Sequence, residues 1–144
     1  MGRIITTFVK DPKNIIVSKD ISTLEDIRLL VDTFYEAVRK DTLIGGIFAG
    51  AISNWPHHLS KMYNFWQTVL LDANTYQGSP FLPHSRLPVQ QEHFDRWLQL
   101  WNQTLDSHFS GPKTEEAKWR AQKMSVMFLS KINYFREKGG RPLM

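Results

Sequence analysis

The chain has 144 residues, 18 of them basic and 14 acidic, for a formal net charge of +4, and it has no cysteine. That length suits one domain with one core, and the missing cysteines exclude disulfides, thiolate zinc sites, iron–sulfur clusters and cysteine nucleophiles together. The basic residues are scattered apart from Lys131, Arg136, Lys138 and Arg141, without the clustered stripe that nucleic acid requires. No run approaches the ~20 apolar residues of a membrane span, and Met1–Val9 lacks the apolar core and cleavage site of a signal peptide. A soluble cytoplasmic protein with no nucleic-acid or membrane partner is the expectation.

Residues 1–20 read as an extended lead-in broken by Pro12, with Ile15, Ile16 and Val17 as a short strand or packing strip. A helix starts near Ser22, where Ser22 and Glu25 have capping-box spacing. Leu24, Ile27, Leu30, Val31, Phe34, Tyr35 and Val38 then recur at helical period up to Asp41. Leu43–Phe48 contains Gly45-Gly46 and reads as a tight turn or one turn of 3₁₀ helix. Asn54 caps a second long helix with Pro56 in its first turn. Its stripe is His58, Met62, Phe65 and Val69, flanked by Trp66.

Residues 72–88 form a polar stretch with Gly78, Pro80, Pro83 and Pro88 around His84. A loop of that length in a small helical domain points to function. A third long helix runs from about Val89 to His108 with Phe94, Trp97, Leu98, Trp101 and Leu105 on one face, and Gly111-Pro112 breaks it. A fourth runs from Thr114 to about Lys138, turning Ala117, Ala121, Met124, Phe128, Ile132 and Phe135 inward, until Gly139-Gly140 ends it. The pattern predicts an all-α domain.

The five histidines are His57, His58, His84, His93 and His108. None lie three or four apart, so no helix presents a two-histidine metal face. Glu-x-x-His, a Gly-rich phosphate loop and a nucleophile elbow are all missing. A zinc site of three histidines would have to assemble from distant residues. Tyr35, His58 and Trp97 sit on the apolar stripes of three different helices. Converging, they would put a hydroxyl, an imidazole and an indole N–H inside an aromatic cavity, where polar groups need partners. Taken singly, Tyr35 and Trp97 read equally well as core residues reaching a backbone carbonyl, and His58 as a locally satisfied side chain.

Several segments together resemble the group III truncated haemoglobins. They are Phe34-Tyr35-Glu36-Ala37-Val38-Arg39, Leu43-Ile44-Gly45-Gly46-Ile47-Phe48, Trp55-Pro56-His57-His58-Leu59 and Asn64-Phe65-Trp66. Tyr76-Gln77-Gly78-Ser79-Pro80, His84-Ser85-Arg86-Leu87-Pro88 and His93-Phe94-Asp95-Arg96-Trp97-Leu98 complete the set. The match runs from near Asp26 through the last helix. The glycine motifs of the other truncated groups are missing, and Gly46 stands where the family often has proline.

The resemblance implies a truncated globin, a two-over-two helical sandwich around haem b. It spans residues 21–144, with residues 1–20 as an N-terminal extension outside the pattern. It implies His84 as the iron ligand, and Tyr35, His58 and Trp97 on the opposite, distal side. Phe34, Phe48, Met62, Phe65 and Trp66 match apolar pocket positions. Lys61, one turn after His58, and Arg86, beside His84, are candidates for the propionates. His93 is the rival of His84, but it shares a helical face with Trp97, and a haem cannot take its proximal bond and its distal tryptophan from one face. His57 points about 100° away from His58, toward solvent.

The expected ligands are oxygen, nitric oxide and carbon monoxide. A polar distal site suits nitric oxide dioxygenase-like or peroxidase-like chemistry better than oxygen delivery. Such a cycle would need an external reductase, since the sequence shows no reductase domain. A haem-based ligand store or sensor, and a haem-free helical interaction module, are the competing functions.

Overall fold

The computed structural model describes residues 5–9, 15–76, 78 and 88–137. Among them an antiparallel hairpin, β1 (Ile5–Val9) and β2 (Ile15–Ser18), precedes five helices. These are α1 (Leu24–Lys40), α2 (Gly45–Ala51), α3 (Trp55–Leu71), α4 (Gln91–His108) and α5 (Pro112–Glu137). α1 packs on α3 and α4 on α5, and the two pairs meet through α1–α4 and α3–α5. The helical part is therefore a two-over-two all-α sandwich. Of the two readings of Ile15–Val17, the short strand is the one observed, and its partner is Ile5–Val9, rich in the β-branched residues that favour strands.

The first helix is capped one residue later than its spacing suggested. Thr23, not Ser22, is the N-cap, and Asp26, not Glu25, closes the box. Thr23 Oγ1 accepts from the Asp26 N–H at 3.2 Å. Asp26 Oδ2 accepts from the Ser22 and Thr23 N–H groups at 2.9 and 3.0 Å and from Lys19 Nζ at 2.6 Å. Burial opposes the Asp26 charge, but these bonds outweigh it and hold the carboxyl below its usual range. The buried face of α1, Ile27, Leu30, Val31, Phe34, Tyr35 and Val38, is the one its periodicity predicts.

The Leu43–Phe48 stretch opens a seven-residue α-helix rather than a lone turn. Asp41 Oδ2 starts it by accepting from the Leu43 and Ile44 N–H groups, both at 3.0 Å. Gly45 is the constrained glycine of the pair. A Cβ there would lie 3.0 Å from the carbonyl oxygens of both Val38 and Arg39, whereas Gly46 has open space. Gly45→Ala should therefore destabilise the fold by about 1–2 kcal/mol. Gly46→Ala should stabilise it by about 0.5–1 kcal/mol, since an exposed helical glycine gives up only entropy. Urea midpoints of the two variants check the contrast.

The residues just before α1 belong to the start of the last helix. The Asp20 carboxylate accepts from the Lys113 N–H at 2.8 Å, the Thr114 N–H at 2.9 Å and the Thr114 hydroxyl at 2.8 Å. Gly111, at φ +137°, makes room for it, since a Cβ there would sit 2.6 Å from the Asp20 carboxyl carbon. Ser110 N–H also donates to the Lys19 carbonyl at 3.0 Å. The core lies between the layers, with Trp101, Phe34, Leu30, Leu105 and Ile132 fully buried.

Candidate functional site

One cavity opens between the helices, with about 1100 Å³ of space, mouth included. Phe34 and Tyr35 of α1, Phe48 of α2, His58, Lys61, Met62, Phe65 and Trp66 of α3, and Trp97 of α4 all line it. These are the site residues expected from the sequence, except His84 and Arg86, which lie outside the described residues. The lining that sequence reasoning passed over comes partly from α5: Met124, Ser125 and Phe128 close one wall. Met124 and Phe128 were already on the inward stripe of that helix, which was the available signal. Tyr76 and His93 line it too.

The polar tips lie within an aromatic box. Tyr35 and His58 meet edge to face with ring centroids 5.0 Å apart. Trp55 closes a triangle with them, 5.7 Å from Tyr35 and 5.8 Å from His58, and Phe48 stands 6.0 Å from Tyr35. The Arg39 guanidinium covers the outer side of Trp55 at 4.4 Å. His58 Nε2 is shielded from solvent. Tyr35 is buried, and desolvation pushes its phenol above the usual range, so it stays protonated and can donate.

Two tryptophans one turn apart on α4 have different fates. Trp97 and Trp101 lie parallel, at 1° and 6.2 Å, and Phe34 packs its edge on both. Trp101 is buried and gives its Nε1–H to the Ala117 carbonyl at 3.1 Å. Among the described residues nothing accepts from the Trp97 indole or from the Tyr35 hydroxyl. Among the described residues, only Trp101 of these three fits the plainer reading, in which the polar tip reaches a backbone carbonyl.

The cavity wall is braced beside Trp97. Arg96 Nε donates to Asp41 Oδ1 at 2.7 Å, joining α4 to the turn between α1 and α2. Burial opposes the Asp41 charge. The bonds from Arg96, Ile44 and Leu43 and the Arg96 charge overcome it and hold the carboxyl below its usual range. His57 is exposed, as its helical position requires. His108 bonds the Thr104 carbonyl at 3.1 Å, at the far end of α4. Among the described residues no three His, Asp or Glu side chains gather to hold a bare metal ion.

A family profile described as bacterial-like globin matches residues 19–131. The group 3 truncated haemoglobin of Campylobacter jejuni is 37% identical over 109 residues, covering 72% of this chain and 86% of that protein. A crystal structure of the group III truncated haemoglobin from Campylobacter jejuni superposes with a TM-score of 0.74 at 33% identity, covering 80% of this chain and 94% of that one. An apolar, aromatic-walled cavity between two helix pairs, together with these matches, identifies a haem-binding globin: the chain belongs to the bacterial-like globins, among the group III truncated haemoglobins.

Proposed function

We propose that the cavity holds haem b with His84 on the iron, and that Tyr35, Trp97 and His58 receive a diatomic ligand on the opposite side, for oxygen, nitric oxide or peroxide chemistry rather than oxygen delivery. The observation that carries this reading is the pair of donors left for the cavity, the Tyr35 hydroxyl and the Trp97 indole, while the neighbouring Trp101 spends its own N–H on the backbone.

The residues fit such a group. Phe34, Phe48, Phe65 and Met62 offer an apolar wall to a flat macrocycle, and Lys61 and Arg86 are the cations proposed for its propionates. When bound, haem supplies an iron that takes a diatomic ligand and exchanges electrons. Tyr35 donates because burial keeps its proton in place. Trp97 donates because an indole N–H has no other role. Tyr35 acts inside the aromatic box and Trp97 from the cavity wall, where hydrogen bonds to charge are stronger than in water. His58, edge-on to Tyr35, orients the phenol and sits where it can meet ligand or iron. In this reading His84 would bind through a neutral imidazole, the form in which a histidine ligates a metal. A donor protein supplies electrons for turnover.

Ferric and ferrous absorption spectra of the wild type beside His84→Ala and His58→Ala test the assignment. The wild type should show a Soret band that His84→Ala loses or shifts. A low-spin ferric spectrum that becomes high-spin in His58→Ala would place His58 on the iron. No Soret band after reconstitution with haemin would end the reading.

A further inference from the structure

α4 starts on a histidine. The Gln90 N–H donates to His93 Nδ1 at 2.8 Å, and the His93 N–H donates back to the Gln90 carbonyl at 3.1 Å. Glu or Gln usually fills this third helical position of a capping box. An imidazole can do so only while Nδ1 carries no proton, and a neutral ring accepting at Nδ1 holds its proton on Nε2. That tautomer has no free Nε2 lone pair for a metal, which separates His93 from His84 on chemical grounds. The same ring lines the cavity, beside Phe94 and one turn before Trp97.

We propose that His93 is a positioning residue: its neutral Nε2–H tautomer fixes the first turn of α4, and with it the Trp97 indole, and protonation of the ring releases that turn. In the protonated ring two N–H groups face each other, and a cation stands at the positive end of the α4 dipole. On α4 itself the charged neighbours are Glu92, Asp95, which is held by the Gln91 amide at 2.8 Å, and Arg96, which is committed to Asp41. Across the cavity stand Tyr35 of α1, His58 and Lys61 of α3, and Tyr76. From α5, Arg136 donates to the Val89 carbonyl at 2.8 Å, which pins the residue before the cap. The first turn is thus held on one side by a bond that acid leaves alone and on the other by one that acid breaks.

The test uses the full, haemin-loaded chain with ¹⁵N-labelled histidine and amide. At pH 8, long-range ¹H–¹⁵N spectra should show His93 as the Nε2–H tautomer; the Nδ1–H form overturns the proposal. Between pH 8 and pH 5 the Gln90 amide should lose roughly fivefold in exchange protection after correction for intrinsic rates. After dithionite reduction of the haem, the carbon monoxide rebinding rate should change over the same span. In His93→Gln, which keeps an acceptor that cannot titrate, both should stay at the pH 8 wild-type value throughout. In His93→Leu both should sit at the acid value throughout. A His93→Gln variant that follows the wild-type pH response, or wild-type protection that stays flat, refutes the proposal. The tautomer and amide readings do not depend on the haem assignment. Failure of the Soret band therefore bears on that assignment and leaves the cap to be judged separately.

Discussion

Oxygen should leave the haem-loaded Tyr35→Phe protein about 10- to 100-fold faster than the wild type, and the Trp97→Leu protein faster by a similar factor. A hydrogen bond to a charged acceptor is worth about 1.5–3 kcal/mol, which sets that range. Bound oxygen carries partial negative charge and bound carbon monoxide carries little. The donors should therefore act on the first and nearly spare the second. This difference separates a hydrogen-bonding role from packing, since Trp97→Leu also removes bulk from the cavity wall. Trp101→Phe is the internal control. It loses the bond to the Ala117 carbonyl and should lower stability with little effect on either off-rate. Stopped-flow displacement of both gases from the three variants measures the contrast. If the two off-rates rise by the same factor in Tyr35→Phe, the hydroxyl is not the donor proposed.

Asp41→Ala should destabilise the fold by about 1–2 kcal/mol at pH 7. The Asp41 side chain is 5% exposed and accepts three hydrogen bonds, from Arg96 and from the Leu43 and Ile44 amides. Removing it leaves the Leu43 and Ile44 amides and a guanidinium that is about one-third exposed without their acceptor, and that exposure keeps the loss below that of a buried pair. The dependence on pH has a definite sign. Folding holds the carboxyl below its ordinary value of 3.8. Its contribution is therefore complete above about pH 4 and declines as acid carries it through the folded-state value. The gap between wild type and variant in denaturant melts should narrow below pH 4 and hold constant from pH 5 to 7. A gap unchanged at pH 3 would show that the charge contributes nothing. Because Arg96 adjoins Trp97, the variant should also loosen the donor that the first experiment measures.

The long helices were legible because their apolar residues repeat at 3.6, and the buried face of α1 is the one its spacing gives. What escaped the sequence depends on contacts between distant segments. Gly45-Gly46 reads as a turn, yet Gly45 is there because two α1 carbonyls crowd it, so the helix continues through it. By pattern Ser22 with Glu25 is the capping box, yet the structure caps on Thr23. Asp26 selects Thr23, because Lys19 reaches it from outside the helix. Strand β1 has β-branched residues as a local signal, but its pairing with β2 is a contact between segments that no local pattern encodes.

The site was partly legible for the same reason. Tyr35, His58 and Trp97 could be picked from three stripes, because facing inward is a local property. Trp97 and Trp101 share one stripe, and only the approach of Ala117 from α5 decides which indole keeps its N–H for the cavity. Trp55 and Arg39 form the outer part of the box through a pairing between α1 and α3 that periodicity does not encode. His93 was legible as a cavity-side residue but not as a cap, since its tautomer is fixed by a backbone amide three positions away.

The stack of indoles has an optical consequence. Trp66 lies against Trp101 at 4.5 Å and 28°, and Trp101 lies parallel to Trp97 at 6.2 Å. Two of these three rings, Trp66 and Trp97, also line the cavity. Transition dipoles this close share their excitation, so light absorbed by one ring is delocalised over the group. A porphyrin among them would accept that energy and darken the emission. The chain therefore carries a built-in reporter of cofactor entry and departure, read by intrinsic fluorescence without a label.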